Sequence, residues 1–135
     1  MIFNEYLNKY EMHDCVIDKI TVTNDTIIFY FNSGVYTLYD SDKESSKTSS
    51  CQMSIVVELY NEKIEQLIEI NSIYQGTIKE IEIDEFCDII SNFKFDVDNN
   101  YFSRFNNCIL IEGYSQKIKY QFKIERISKI NFNLD

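Results

Sequence analysis

Strict alternation of apolar and polar side chains is the strongest constraint in this sequence. In CQMSIVVELY, residues 51–60, Cys51, Met53, Ile55, Val57 and Leu59 fall on one side, with Gln52, Ser54 and Glu58 on the other. In KIKYQFKI, residues 117–124, Ile118, Tyr120, Phe122 and Ile124 alternate with Lys117, Lys119, Gln121 and Lys123. FKFDV groups Phe93, Phe95 and Val97. A repeat of two is the mark of a strand with one face buried. Beyond Ile124 the same parity returns at Ile130, Phe132 and Leu134, but Arg126 and Ser128 interrupt it. A bulged or bent strand would explain the break, as would two short strands.

Helical spacing is rare. DEFCDIISNF places Phe86, Ile89, Ile90 and Phe93 on one side, with Asp84 able to cap the start, and predicts a short helix over 84–92. NEYLNKY, residues 4–10, can form another helical turn. EKIEQLIEI fits either period, and its alternating neighbours favour a strand. The reading is a mainly β chain (α+β), an antiparallel sandwich or strongly curled sheet of about eight or nine strands with one or two short helices. Its 135 residues suit a single domain, which buries roughly two-thirds of its unfolded surface without metal or disulfide.

With no proline and only three glycines, turns must rest on Asn, Asp and Ser. Asn32-Ser33-Gly34 reads as a hairpin connection between TIIFYF and VYTLY. Asn99-Asn100 and Asn106-Asn107 read as later turns. SDKESSKTSS, residues 41–50, reads as a polar loop tip.

The formal net charge is -9. From Lys117 onward, Lys117, Lys119, Lys123, Arg126 and Lys129 outweigh Glu125 and Asp135, giving +3 and leaving -12 for the rest. Such a body repels nucleic acid and anionic membranes and attracts basic partners. Lys117, Lys119 and Lys123 form a patch too small for nucleic acid, and they suit the guarding of a strand edge. The first residues carry Glu5 and Glu11 and no apolar core, and no apolar run reaches the ~20 residues of a membrane helix. A cytoplasmic protein is expected, and the wealth of Ile, Asn and Lys suggests a bacterial one.

No motif for phosphate, dinucleotide or acyl-transfer chemistry is present. Cys15, Cys51, Cys87 and Cys108 are scattered, with no CxxC pair. His13 is the only histidine, followed by Asp14 and Cys15. One histidine cannot build a His-rich metal centre. A strand would point His13 and Cys15 the same way, so a Cys-His pair is geometrically open, but a polar corner entering a strand is the simpler reading. Asp96, Asp98 and Asn100 begin like a calcium loop, yet Tyr101 and Asn107 stand where Gly and Glu are needed. An Asp/Asn turn is the simpler reading there. No metal and no cofactor are expected.

The best candidate for binding is the acidic stretch Glu80, Glu82, Asp84, Glu85 and Asp88, together with Asp40, Asp42 and Glu44 in the serine-rich loop. Such a surface suits a Lys/Arg-rich protein partner. The alternative is a ligand-binding or enzymatic β domain with an aromatic-lined pocket near His13 and Asp14, since ten Phe and ten Tyr exceed a minimal core. A structural assembly module is a third option.

MHDCVIDKITVTNDTIIFYF, residues 12–31, resembles small bacterial β-rich proteins that open with a His-Asp step followed by two apolar strands. Several such families look like immunity proteins encoded beside polymorphic toxins. The resemblance implies a non-enzymatic acidic binder, and it carries over only the step itself, His13 and Asp14.

Overall fold

The computed structural model of the chain describes residues 9–38, 45–103 and 105–134. Three antiparallel sheets form its frame, with strands numbered along the chain. The largest has six strands, in the order β2 (Val16–Ile17), β10 (Phe95–Ser103), β11 (Cys108–Ser115), β12 (Ile118–Ile124), β8 (Ile68–Tyr74) and β9 (Thr77–Ile81). A four-stranded sheet runs β13 (Ile127–Leu134), β7 (Cys51–Val57), β4 (Thr26–Phe31) and β3 (Lys19–Val22). A small third sheet joins β1 (Tyr10–Glu11), β5 (Tyr36–Leu38) and β6 (Ser45–Lys47). The mainly β, antiparallel expectation holds, with more and shorter strands than the alternation suggests.

The alternation becomes burial. Cys51, Met53, Ile55 and Val57 of β7 are buried, as are Tyr120, Phe122 and Ile124 of β12. These inward faces meet where Phe29 of β4 stands edge-on to Phe122 of β12, ring centres 5.5 Å apart at 78°. The one long helix among the described residues, α1 (Ile83–Phe93), covers another part of the same face of the larger sheet. Its Ile83, Phe86 and Ile90, at helical spacing, are buried. The Phe86 ring lies 5.3 to 5.7 Å from those of Tyr120, Phe122 and Phe95. Asp84 and Glu85 in the first turn favour the positive end of the helix dipole.

Gly113 of β11 sits under this cluster. A Cβ there would run into the carbonyl oxygen of Asp96 and come within 2.6 Å of the Phe95 ring. Gly34, at φ +81°, is boxed in by the main chain of Thr48 and Ser49.

Two polar corners lead the chain from the six-stranded sheet directly into the four-stranded one. At the first, β2 passes into β3 through Asp18. Its N–H donates to the Tyr30 carbonyl at 2.7 Å, and its carboxylate accepts the Asn32 N–H at 2.8 Å. The Lys94 ammonium stands 3.6 Å from the other carboxylate oxygen, which is well sheltered. At the second corner β12 passes into β13 through Glu125 and Arg126, the latter at φ 53°. A register shift between Ile127 and Lys129 then skips Ser128 and returns Ile130 and Phe132 to the core. The interruption of parity after Ile124 is therefore both a change of sheet and a bulge.

Five expectations need correction. Asn32-Ser33-Gly34 is a turn but not a hairpin, because β4 and β5 belong to different sheets. Asp96, Asp98 and Asn100 do not form a turn; they lie within β10, which absorbs the polar run with a bulge between Val97 and Asn99. Residues 41–50 are not all loop, since Ser45–Lys47 pairs with β5. EKIEQLIEI is split: Ile64–Leu67 is a 3₁₀ turn that buries Ile64 and Leu67, three residues apart, and only then does β8 begin. The lysine-bearing β12 lies inside its sheet between β11 and β8, so its lysines guard no edge. The predicted helix over 84–92 is α1. Most of the expected turn over residues 4–10 lies outside the described residues.

The left-handed positions also depart from expectation. Asp14 and Asn107 are of the expected type, but Gln75, Lys94, Gln116, Lys117 and Arg126 are not. Gln75-Gly76 and Gln116-Lys117 are the two-residue turns of tight hairpins, whose handedness demands positive φ. The flanking ladders hold side chains that would not choose that conformation alone.

The contact of Phe29, Phe86 and Phe122 makes one expected outcome sharp. Phe122→Ala should lower unfolding free energy by about 3–5 kcal/mol in urea denaturation. Phe105→Ala, at a ring 97% exposed, should change it by less than about 0.5 kcal/mol.

Candidate functional site

His13, Asp14 and Cys15 form a turn. The Cys15 N–H donates to the Met12 carbonyl at 3.0 Å, with Asp14 left-handed at φ 63°. The turn is clamped to β10 by Asp14 N–H to the Val97 carbonyl and Val97 N–H to the Cys15 carbonyl, both 2.9 Å. Because the chain turns here, His13 and Cys15 face apart. Cys15 is fully buried, and burial pushes its thiol up. The half-exposed His13 ring lies 3.4 Å from the more exposed Asp14 carboxylate. The Cys-His pair that the spacing left open is thus not assembled, and the polar corner is what forms.

Part of the aromatic surplus packs in the core, where Phe29, Phe86, Phe95, Tyr120 and Phe122 meet, while Tyr60, Tyr74, Phe93, Tyr101, Phe105 and Tyr114 are exposed. Neither of the two clefts described next is lined by His13 or Asp14. Among the described residues, no group of three or more His, Cys, Asp or Glu is placed to hold a metal ion. The Cys87 thiol is pushed up to about 11, mainly by burial and then by Asp84 and Asp88. Burial also raises Cys108. These thiols stay protonated at neutral pH and are poor nucleophiles.

The concave surface lies elsewhere. One cleft, of about 510 Å³, has Glu62, Glu65 and Asp84 among its walls and Val22, Leu59, Ile64 and Ile83 as apolar lining. A second, of about 430 Å³, carries Glu65, Glu69, Glu80 and Glu125, with Leu67 and Ile68 as its apolar part. Glu65 lines both, so the two clefts share an acidic border, and together they are called the acidic groove below. The cations on its walls are Lys63 and Lys123, and Lys123 is already 3.4 Å from Glu125.

Three connections build this groove. The 3₁₀ turn before β8 supplies Glu65 and the end of β9 supplies Glu80. The β12–β13 corner supplies Glu125. The stretch entering the 3₁₀ turn is locked to that corner. The Arg126 guanidinium lies 2.6 Å from the Glu62 carboxylate and 5.1 Å from the centre of the Tyr60 ring. The Tyr60 N–H donates to the other Glu62 oxygen at 2.7 Å. The hydrogen bond from Arg126, then that from Tyr60, holds Glu62 down at about 2.

Of the residues singled out in the sequence, Glu80 and Asp84 line the groove. Glu82, Glu85 and Asp88 are exposed along the start of α1. The stretch is not one strand face, since β9 ends at Ile81 and the helix starts at Ile83. Asp40, Asp42 and Glu44 lie outside the described residues. Sequence reading missed Glu62, Glu65, Glu69 and Glu125. No periodic signal could have found them, because Glu62 precedes the 3₁₀ turn, Glu65 lies within it, Glu69 is in β8 and Glu125 is at the corner after β12.

Comparison with known proteins returns no matching family model, no similar curated protein and no similar solved structure.

The Glu62–Arg126 lock has a pH signature. The folded carboxyl is depressed from 4.5 to about 2, so its stabilising contribution is complete above pH 4.5 and is lost as pH falls through about 2. In Arg126→Ala, the Glu62 carboxyl carbon should titrate well above 2, moving towards 4.5, when followed by NMR. The stability gap between parent and variant should close as the pH is lowered across that window.

Proposed function

We propose that this chain is a small acidic binding protein that covers a basic protein partner, in the way an immunity protein neutralises a bacterial toxin. The observation that carries this reading is a pair of clefts, both bordered by Glu65, whose linings also hold the exposed Glu69, Glu80, Asp84 and Glu125, on a body of net charge -9. Covering a partner needs complementary shape and charge and no reactive group, which agrees with the parting of His13 and Cys15. Complementary charge steers encounter and discriminates between partners, while the half-buried Leu59 and Ile68 give the docked state apolar contact. The likeness of residues 12–31 to immunity-like families points the same way. Among the described residues no helix is long and apolar enough to cross a membrane.

The test is capture from the native host with the tagged chain, followed by variants. A basic protein should be retained, and released in about 1 M salt, where the screening length falls to about 3 Å. Glu65→Lys with Glu69→Lys should weaken retention about tenfold or more, whereas Asp25→Lys, outside the groove lining, should not. A partner of acidic character, or one whose retention ignores the double reversal, would remove the basis of this reading.

A further inference from the structure

The β8–β9 hairpin ends the six-stranded sheet, and β9 has no other partner strand among the described residues. Thr77, Ile78, Lys79 and Glu80 are all exposed, so both faces of this strand are open. Ile78 is 68% exposed, a large apolar side chain beside a free edge. Hydrogen-bond parity on that edge follows from the turn. Tyr74 and Thr77 flank the two-residue loop Gln75-Gly76, both left-handed, and so form a hydrogen-bonded pair. Bonded and non-bonded pairs then alternate. Ser72 with Lys79 and Ile70 with Ile81 exchange main-chain bonds, while Ile78 and Glu80 do not. The N–H and C=O groups of Ile78 and Glu80 therefore point away from the sheet.

Open edges of this kind are where another chain adds a strand. Natural sheets blunt such edges with proline, bulges or coverage. This chain has no proline, the β8–β9 ladder has no register shift, and β9 carries only Lys79 and Glu80 as charged guards. Glu80 itself lines the acidic groove, beside Glu69 and Glu125.

We infer that β9 is a docking edge, and that its occupant is an extended, basic segment of the protein partner, paired through the main chain of Ile78 and Glu80. Antiparallel addition places one residue of the incoming strand beside each of Ile78 and Glu80 on the outward face of the sheet. A Lys or Arg beside Glu80 then sits over the groove. Residues of the opposite parity lie beside Lys79 and Ile81, where an apolar side chain gains contact with Ile81 and the aliphatic stem of Lys79. The edge thus reads a strand that alternates basic and apolar. This inference rests on the reading of the groove as a site for a basic partner and adds the partner's conformation to it.

The probe is a synthetic peptide of about ten alternating lysines and valines, long enough for one strand. Amide exchange in the free chain should be fast at Ile78 and Glu80 and slow at Lys79, whose N–H faces Ser72. Saturation with the peptide should slow exchange at Ile78 and Glu80 by about tenfold or more. Ile78→Pro removes an outward N–H without touching the β8–β9 ladder or any charge. It should retain the parent far-UV circular dichroism and bind the peptide about tenfold more weakly. Peptide binding without new protection at Ile78 and Glu80, or equal affinity in Ile78→Pro, would overturn the inference and leave the groove reading intact. Failure of the peptide to bind would overturn it also, and the groove would still be judged by its own charge-reversal variant. The exchange measurement on the parent chain decides the matter should the proline variant not fold.

Discussion

The fold depends on one crowded meeting of rings. Phe122, in the middle of the larger sheet, touches Phe29 of the facing sheet and Phe86 of the helix. Those contacts join three elements far apart in sequence, so the packing is non-local and each side depends on the other for its burial. A buried phenylalanine contributes on the order of 1.5–3 kcal/mol through area alone, and favourable ring geometry adds about 0.5–1.5 kcal/mol per pair. Gly113 belongs to the same arrangement, because the Phe95 ring that packs on Phe86 leaves no room for a side chain beneath it.

Two tight corners tie the larger sheets together, beside the longer connection from β7 to β8. Asp18 closes one corner with two main-chain bonds and an ion pair to Lys94. Arg126 closes the other, and its guanidinium fastens the strand-to-strand linker that carries Tyr60 and Glu62. The second corner also shapes the groove, since Glu125 adjoins Arg126 and Glu62 is its counter-ion. Scaffold and surface therefore share residues: the lock that fixes the linker also fixes one wall of the acidic concavity.

Much of this was legible in the sequence. The inward faces of β7 and β12 and the helix around Phe86 follow from spacing alone, because side-chain direction in regular elements is periodic. The turn at His13-Asp14 was readable from its polar residues. What periodicity could not supply was the partner of each strand. Nothing local distinguishes Asn32-Ser33-Gly34 as a corner between sheets from the same residues as a hairpin. The bulges at Asp98 and Ser128 were hidden for a related reason, since an extra residue reads as a broken pattern until its neighbouring strand is known. Hairpin turns at Gln75 and at Gln116-Lys117 carry few of the usual turn residues, because the ladders beside them impose the conformation. The groove was only partly visible, through Glu80 and Asp84. Its other carboxylates come from separate connections brought together by the fold.

The sealed thiols give the molecule internal reporters. Cys15 lies at the turn clamped to β10, and Cys51 opens β7 in the opposite sheet, both almost without solvent contact. A thiol reagent can reach them only when the structure opens, so the modification rate at each measures how often its own layer breathes. Equal rates would describe a molecule that opens as a unit. Unequal rates would describe two leaves that come apart in sequence.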